Sequence, residues 1–349
     1  MNGANPWHGR RVLVTGHTGF KGAWLATWLA ALGARVSGLA LPPATHPNLH
    51  DLLDLRAHVD GAFGDVRDRE TVAAAYARTR PEVVFHLAAQ PLVRRSYADP
   101  LGTLATNVMG TAHVLEAARG RAVAAVVVVT SDKCYAQRGA GRPFREDDPL
   151  GGHDPYSASK AAAELVAASY RDSYFAHDAV VATARAGNVI GGGDWSPDRI
   201  VTDVVAAARE RRPLHLRYPY ATRPWQHVSD ALAGYLRLGE RGLAGDRGVA
   251  RAWNFGPLEP QSMSVGELAA GLLRALGSDI PVVVDDAPAP HEAATLDLDP
   301  ADATALLGWR PRYDAAGAIA ATGAWFRDFA AGADAATLIR AQLPLAVAP

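Results

Sequence analysis

The chain of 349 residues is short of cysteine, of long apolar runs and of excess charge of either sign. Its one cysteine, Cys134, excludes an internal disulfide and is typical of a protein kept in a reducing compartment. No apolar run approaches the roughly 20 residues that a transmembrane helix needs. The first residues, Met1 to Arg11, are polar and lead directly into an apolar strand, so no signal peptide is expected. These features predict a cytoplasmic protein.

The charge balance argues against two classes of partner. The formal net charge is −1 and the isoelectric point is about 6.9, with the arginines scattered along the chain. A nucleic acid or an anionic membrane would require concentrated positive charge, so neither is expected as a partner. A modest group of arginines would still suffice to bind a diphosphate. No metal site is predicted.

Short apolar strands alternate with helices through the first half of the chain. Strands are predicted at Val12–Thr15, Ala34–Leu41, Glu82–Leu87, Val123–Thr130 and Ala179–Arg185. Runs that are wholly apolar suit strands buried on both faces, as in parallel sheets covered by helices. The prediction is therefore an α/β fold with a Rossmann-type, doubly wound parallel sheet.

The first strand runs into a glycine-rich turn followed by a helix. Gly16 would allow the tight turn, Gly19 the close approach of a pyrophosphate, and Gly22 the packing of helix against sheet. The helix N-terminus adds unpaired N–H groups and a partial positive charge. A dinucleotide site is predicted here. Its residues are Gly16, His17, Gly19, Phe20, Lys21, Gly22, Asp65, Val66, Leu87, Ala88, Ala89 and Asn107, together with Tyr156 and Lys160.

One expected element of such a site is missing. An acidic residue about 20 positions beyond the loop normally holds the adenosine ribose, and Arg35 to His46 contains none. The local sequence therefore leaves NAD and NADP open. His17 and Lys21 are unusual in this loop because both can reach phosphate, although solvent-facing loop positions would explain them equally well.

Two domains are predicted. Residues 1–185 would form the dinucleotide-binding domain and residues 186–349 mainly the substrate-binding domain, because the alternation of strands and helices loosens after Gly191 to Gly193. The chain is expected to return to the large sheet near residues 226–256. The smaller C-terminal domain would therefore be partly interleaved with the first.

Two sets of acid and base side chains point to chemistry at the sheet edge. Tyr156 and Lys160 are four apart in a predicted helix, so they share one face, and the ammonium would lower the pKa of the phenol. A phenolate can take a proton from a hydroxyl as hydride leaves its carbon. Ser131, Asp132 and Lys133 emerge at the carboxyl end of a strand, where open α/β sheets bind ligands. Simple alcohol oxidation does not need this second set.

Longer strings of residues resemble one family. They are His17–Gly22, Gln90–Arg94, Thr130–Tyr135, Arg185–Trp195, Arg223–Val228 and Trp253–Pro257. Together they resemble the CDP-glucose 4,6-dehydratases of the extended short-chain dehydrogenase/reductase (NAD-dependent epimerase/dehydratase) family, from the first strand to about Trp309. Related dehydratases for other nucleotide sugars typically carry glutamate where Lys133 stands. The resemblance implies NAD as the cofactor and a nucleotide sugar, with CDP-glucose favoured, as the substrate.

The resemblance also implies roles in a hydro-lyase reaction. Tyr156, helped by Ser131 and Lys160, would take the proton of the C4 hydroxyl. Lys133, as a neutral amine, would remove the C5 proton, and Asp132, as a neutral acid, would protonate the departing C6 hydroxyl. Substrate contacts are predicted for Gln90, Arg94, Asn188, Arg199, Arg223 and His291, several of which would serve equally well as surface or ion-pair residues.

The same resemblance predicts the assembly and leaves alternatives open. Helices around residues 101–118 and 156–174 pair across a dimer axis in this family, so a homodimer is expected. The alternatives are a 4,6-dehydratase or 4-epimerase for a UDP-, GDP- or dTDP-linked sugar, and a non-catalytic dinucleotide-sensing protein. An epimerase does not need Asp132 and Lys133, and a sensor does not need Tyr156. Only the resemblance indicates cytidine.

Overall fold

The computed structural model describes residues 5–136, 142–258, 263–285 and 296–344 of the chain. In chain order the strands are β1 (Arg11–Thr15), β2 (Arg35–Ala40), β3 (Asp60–Phe63), β4 (Val83–His86), β5 (Ala125–Val129), β6 (Val180–Ala186), β7 (Val189–Ile190), β8 (Leu214–Leu216), β9 (Thr222–Arg223), β10 (Gln226–His227), β11 (Ala252–Phe255), β12 (Met263–Ser264) and β13 (Val282–Val284).

The helices surround and extend this set of strands. They are α1 (Phe20–Ala31), α2 (Leu49–Leu52), α3 (Leu55–His58), α4 (Arg69–Thr79), α5 (Val93–Ala98), α6 (Pro100–Leu104), α7 (Gly110–Ala118), α8 (Pro155–Tyr174), α9 (Ile200–Glu210), α10 (Val228–Leu243), α11 (Val265–Leu276), α12 (Ala301–Leu307), α13 (Ala315–Ala330) and α14 (Ala335–Gln342). Short 3₁₀ turns occur at Asp132–Cys134 and Arg247–Val249.

Seven of the strands form one parallel sheet. Their order across it is β11, β6, β5, β4, β1, β2 and β3, and every neighbouring pair is parallel. The order reverses between β1 and β4, so a crevice forms there at the carboxyl ends of the strands. The predicted doubly wound Rossmann-type sheet is confirmed.

Side-chain alternation along the strands builds a core on each face of the sheet. Val12 and Val14 pack into the core under α1 and α10, whereas Leu13 packs into the core under α4, α7 and α8. In β5, Val127 likewise packs into the core under α1 and α10, and Val126 packs into the core under α4, α7 and α8. Each fully buried valine or leucine contributes about 1.5–3 kcal/mol, so the apolar strands are stable only with both faces covered.

The C-terminal part of the chain adds a smaller layer over one end of the sheet. It contains the two-stranded pairs β7–β10, β8–β13 and β9–β12, together with α9, α11, α13 and α14. Two elements from this half are instead part of the large α/β layer. Helix α10 packs against β4, β5 and β6 of the sheet, and β11 is the edge strand of that sheet. The division at residue 185 stays a prediction, and β6 itself runs to Ala186.

The helix expected around residues 101–118 is interrupted. Residues Ala105–Met109 form a π-helical turn between α6 and α7. Such turns insert one residue into a helix and are frequent at functional sites. Here the turn carries Asn107 inwards, where it is buried. None of the helices in the described ranges is both long and apolar enough to cross a lipid bilayer.

Candidate active site

A cleft of about 640 Å³ opens at the carboxyl edge of the large sheet, at the crevice between β1 and β4. The segments that follow four of its strands line this cleft, through Gly16, Leu41, Leu87 and Thr130. Residues from the smaller layer, including Arg223, form the opposite wall. The position is the one where open α/β sheets bind their ligands.

The glycine loop is closely packed, and two of its positions have no room for a side chain. Gly16 has φ +77°, and a Cβ at this position would come within 2.7 Å of the Ala88 nitrogen. A Cβ on Gly22 would overlap the carbonyl of Gly16. Gly19 is the N-cap of α1, so the first turn of the helix faces the cleft without a capping side chain. The backbone N–H groups of this turn form a cradle that suits a pyrophosphate.

His17 does not take part in this cradle. Its side chain is 1% exposed and packs over Gly38 of β2 and Gly61 of β3, with its ring edge against His50. The prediction that His17 contacts phosphate is therefore corrected. The loop turns this side chain away from the part of the cleft that the structure describes. Burial lowers the pKa of His17 to about 4, so it is a neutral core residue.

Lys21, by contrast, points into the cleft from the first turn of α1. The pKa of its amine is lowered to about 7, chiefly by burial and also by the nearby charges of Arg199 and Lys160, while Asp132 and Asp194 oppose the shift. The glycine loop and the acid/base residues thus share one electrostatic environment. This lysine lies between the loop and the catalytic groups rather than in solvent.

The other residues predicted for the cofactor lie along the remaining edge of the cleft. Phe20, Asp65, Val66, Leu87, Ala88 and Ala89 all line it. The carboxylate of Asp65 accepts two hydrogen bonds from the Arg67 guanidinium, at 2.8 and 2.6 Å, which hold the pKa of Asp65 below its usual value. An acid at the end of β3 thus lies in the cleft, whereas the segment after β2 offers none.

Asn107 contacts a segment of the cleft wall and the helix that carries Tyr156. Its side chain accepts a hydrogen bond from the Gln90 nitrogen at 2.8 Å and donates to the Gln90 carbonyl and to the Ser159 hydroxyl. The predicted direct contact with the cofactor is corrected to an indirect one, because Asn107 is not among the described residues that line the cleft. Its amide instead ties the segment after β4 to the helix that carries Tyr156.

Tyr156 and Lys160 lie on one face of α8, close to its start. Asp154 caps this helix by accepting a hydrogen bond from the Ser157 nitrogen at 2.9 Å, and Pro155 occupies the first turn. Both Tyr156 and Lys160 are buried and line the cleft. The cap and the proline explain why the helix begins where it brings the phenol to the edge of the sheet.

The electrostatics of this pair differ from the expectation. Burial raises the pKa of Tyr156 to about 12, and a hydrogen bond with Ser131 offsets only part of that rise. Burial also lowers the pKa of Lys160 to about 8, and its amine donates to the Val129 carbonyl at 3.1 Å. The phenol pKa is therefore raised and not lowered as expected, because the loss of solvent outweighs the hydrogen bond with Ser131 and the charge of Arg199.

The second acid/base set forms a 3₁₀ turn directly after β5. The Ser131 hydroxyl accepts from the Lys133 nitrogen at 3.2 Å and donates to the Asp132 carboxylate at 2.8 Å. Asp132 is 2% exposed, and a Cβ on Gly187 would overlap its carboxylate. The amide of Asn188 lies 3.4 Å from the other Asp132 oxygen. Ser131, Asp132 and Lys133 all line the same cleft as the phenol.

Five of the six residues predicted to contact the substrate are described, and all five line the cleft; His291 lies outside the described residues. Gln90 is less available than expected. Its amide donates to the Leu92 carbonyl and the Thr103 hydroxyl, each at 3.0 Å, and accepts from the Leu92 nitrogen. Gln90 therefore shapes the wall of the cleft through its backbone and its fixed side chain.

Two of the arginines in the cleft are paired with aspartates that sequence reasoning missed. Arg94 lies 3.2 Å from Asp198, and Arg199 lies 3.6 Å from Asp194. Arg223 is 4% exposed and donates to the Thr222 carbonyl. Arg217 and Tyr218 also line the cleft. The string Arg185–Trp195 contains Asp194 and so offered a signal for that aspartate, whereas nothing in the local sequence distinguishes Arg217 and Tyr218.

Comparison with known proteins agrees with this geometry. The family model for GDP-mannose 4,6-dehydratases matches residues 13–322. The chain is 42% identical over 337 residues to a CDP-glucose 4,6-dehydratase of Salmonella typhimurium, covering 95% of this chain and 94% of the relative. It is 32% identical to a dTDP-glucose 4,6-dehydratase of Streptomyces griseus, covering 90% and 93%.

Solved structures share the architecture. The dTDP-glucose 4,6-dehydratase of Streptomyces venezuelae, solved with NAD bound, superposes with a TM-score of 0.76 at 28% identity, covering 91% of this chain and 97% of that one. A UDP-glucose 4-epimerase of Thermotoga maritima superposes with a TM-score of 0.81 at 22% identity, covering 91% and 99%, a likeness of fold alone. The chain belongs to the GDP-mannose 4,6-dehydratase family, the nucleotide-sugar dehydratases of the extended short-chain dehydrogenase/reductases.

Proposed function

We propose that the protein is an NAD-dependent 4,6-dehydratase that converts CDP-D-glucose to CDP-4-keto-6-deoxy-D-glucose and water. One observation carries this proposal: a buried phenol, a buried carboxyl and an amine from two separate acid/base sets line a single cleft beside a glycine loop. The 42% identity to a CDP-glucose 4,6-dehydratase supports the choice of substrate.

The cleft fits a dinucleotide. The glycine cradle at the start of α1 suits its pyrophosphate, and the groove beside Asp65, Val66 and Ala88 suits its adenosine. NAD⁺ held there would supply the hydride acceptor and donor, and its positive charge would favour the ionised form of Tyr156. Asp65 is a carboxylate of this groove: its Oδ2 accepts both bonds from the Arg67 guanidinium and its Oδ1 accepts from the Arg67 backbone nitrogen, which leaves a lone pair of Oδ1 for a ribose hydroxyl.

Oxidation of the sugar depends on the first set. Tyr156 would take the proton of the C4 hydroxyl, and Ser131, already within hydrogen-bond reach of the phenol, would hold the same oxygen. Lys160 would keep its amine at the floor of the site through the Val129 carbonyl. With the C4 hydride passed to NAD⁺, this step would yield a 4-keto sugar, NADH and a proton on Tyr156.

Loss of water depends on the second set. The C4 ketone acidifies the neighbouring C5 proton, and Lys133 would remove it as a neutral amine. Asp132 would donate a proton to the C6 hydroxyl, which leaves as water. Its carboxyl is enclosed by Gly187 and by the Asn188 amide, so only the side open to the cleft remains for the sugar. Hydride returned to C6 and a proton at C5 complete the 4-keto-6-deoxy sugar.

The nucleotide of the substrate is tested by comparing the conversion of four nucleotide sugars. The protein with NAD⁺ is incubated separately with CDP-, UDP-, GDP- and dTDP-glucose, and the 4-keto sugar is measured by its absorbance in alkali and by mass spectrometry. We expect kcat/KM to be highest for CDP-glucose and the product to be lighter than the substrate by one water. Preference for another nucleotide would overturn the choice of cytidine, and a product of unchanged mass would indicate a 4-epimerase instead.

Two further expectations stay predictions. A homodimer would bury apolar side chains that the helices α6 and α8 and the π-turn expose, among them Leu101, Met109 and Leu165 at 78%, 51% and 60% exposure. These helices pack side by side, so the exposed residues can form one continuous face. A cytoplasmic location is expected from the single cysteine and is tested by fractionation of the producing cell.

A further inference from the structure

Glu164 and Arg185 form an ion pair that is buried outside the cleft and has no part in the reaction steps above. The guanidinium lies 2.8 Å from the carboxylate, and the two side chains are 4% and 3% exposed. Glu164 follows Lys160 by four residues and Tyr156 by eight in α8, so the three side chains lie on one helical face. Arg185 projects from β6, the strand beside β5.

Each member of the pair holds one end of the segment that carries the second acid/base set. The Thr130 hydroxyl donates to the Glu164 carboxylate. The Tyr135 hydroxyl accepts from Arg185 at 2.7 Å and in turn donates to the Asn254 amide oxygen at 2.7 Å. Ser131, Asp132 and Lys133 occupy the positions between these two anchors. The segment is therefore fastened at both ends to one buried pair, whose carboxylate belongs to the helix of the first set.

The pair is costly as a purely stabilising device. Two charges removed from water lose their hydration, and apolar replacements of similar volume are often equally stable or more so. Removing only one partner is strongly destabilising because the other charge stays buried and unpaired. Here the carboxylate also accepts from Thr183 at 2.7 Å, and Arg185 also donates to the Glu146 carbonyl at 2.9 Å. These bonds tie both members of the pair to the strands beneath the site, while Arg185 Nε is buried with no hydrogen-bond partner among the described residues.

The charge of Glu164 also faces the amine of Lys160. Of the groups packed around that amine, Glu164 of the same helix and Cys134 after β5 favour its charged form, against the opposing effect of burial. Lys21 of the glycine loop and His86 at the end of β4 lie close enough for the charge of Lys160 to lower the pKa of each. Glu164 is the carboxylate among these neighbours.

We propose that Glu164 and Arg185 are positioning residues that hold the Ser131–Lys133 segment in register with Tyr156, and that the Glu164 carboxylate keeps Lys160 charged. The inference rests on the proposed function for its catalytic consequence. Its electrostatic part can be measured without any substrate.

The first experiment titrates Lys160 directly. The chain has three lysines, Lys21, Lys133 and Lys160, so protein labelled with ¹³C at lysine Cε gives three resonances that single lysine-to-arginine variants assign. Replacing Glu164 with glutamine removes the charge and keeps the length of the side chain. We expect the titration midpoint of Lys160 to fall by roughly one to two pH units, as expected for a charge one helical turn away at an intermediate dielectric. A midpoint unchanged within experimental error would overturn the electrostatic part.

The second experiment separates charge from position. Glu164→Asp keeps the charge but shortens the reach, so Lys160 should titrate as in the wild type while the anchor at Thr130 is lost. Thr130→Val and Tyr135→Phe each remove one anchor and leave the ion pair intact, and they serve also if Glu164→Gln does not fold. In all three variants we expect elimination to slow roughly 10- to 100-fold. Its rate is measured as solvent-deuterium exchange at C5. Single-turnover formation of NADH should slow much less, because Ser131 is the only residue of the segment that takes part in the oxidation.

The outcomes distinguish failure of the positioning role from failure of the proposed function. Equal slowing of NADH formation and elimination in Thr130→Val and Tyr135→Phe would refute the positioning role, because a general loss of structure affects both steps. A wild-type protein that converts none of the four nucleotide glucoses would refute the proposed function. In that case the lysine titration still decides whether Glu164 controls the charge of Lys160.

Discussion

Replacing Asp132 with asparagine should separate the two halves of the reaction. The substitution preserves the shape of a side chain that is 2% exposed and enclosed by Gly187. An asparagine oxygen can still accept from the Ser131 hydroxyl, which now lies 2.8 Å from the carboxylate. The amide cannot, however, deliver a proton to the C6 hydroxyl. We therefore expect oxidation at C4 to continue and loss of water to slow.

The size of the effect follows from the role assigned. A positioned general acid contributes typically about 10²- to 10⁴-fold to a rate. This range corresponds to roughly 3–5 kcal/mol of the activation barrier. Because Asp132 lies in a cleft closed on one side, water is a poor substitute for it as a proton donor. NADH should accumulate in the variant during a single turnover, whereas in the wild type it is consumed as fast as C6 is reduced.

The assay follows NADH absorbance after rapid mixing of NAD⁺-loaded protein with CDP-glucose, and the quenched sugar is analysed by mass. Asp230→Asn is the matched control: the same chemical change at a carboxylate that is 3% exposed but is not among the described residues of the cleft. It should leave both steps unchanged. If NADH formation in Asp132→Asn falls as far as loss of water does, Asp132 supports binding or oxidation and the reasoning about its proton is wrong.

Three further predictions concern the phenol, the stability and the assembly. Tyr156→Phe should slow single-turnover NADH formation by roughly 10²- to 10⁴-fold while the dissociation constant of CDP-glucose, measured by calorimetry, stays within a few-fold. Burial raises the pKa of Asp230 to about 6 from 3.8, so its contribution to stability is complete below pH 3.8 and is lost as the pH rises through 6. Urea denaturation at each pH should show the wild type losing about 3 kcal/mol relative to Asp230→Asn over this window; an identical pH dependence in the two proteins would contradict the assignment. Leu165→Glu should give a monomer by light scattering, whereas Leu306→Glu, at an exposed leucine of α12, should not; a dimer in both variants would place the interface elsewhere.

The fold could be predicted because its signals are local. The β-branched run that became β5 is apolar on both faces, and only a sheet covered by helices on both sides satisfies such a strand. Gly16 and Gly22 each occupy a position where a Cβ would meet backbone, so their spacing alone indicated the turn. The start of α8 is set just as locally, because Asp154 as cap and Pro155 in the first turn act within one helical turn.

The direction of side chains in the site could not be predicted in the same way. His17 follows the first glycine and looked suited to phosphate, yet space opens for it only because Gly38 and Gly61 on two other strands lack side chains. Asn107 points to Gln90 because a π-turn shifts its phase within the helix, and nothing in the local sequence announces that turn. The pKa values of Tyr156 and Lys160 depend on burial by elements distant in the chain.

The distribution of cations connects these observations to the chemistry. The chain has 32 arginines and three lysines, and all three lysines line the cleft. A guanidinium stays charged at any accessible pH, whereas an amine can lose its proton when it is buried. Burial lowers the pKa of Lys21 to about 7 and that of Lys160 to about 8, so both can change charge near neutral pH. Two arginines of the cleft, Arg94 and Arg199, are by contrast held by Asp198 and Asp194 and keep a constant charge for a diphosphate. A site that both anchors an anion and moves protons needs these two kinds of cation side by side.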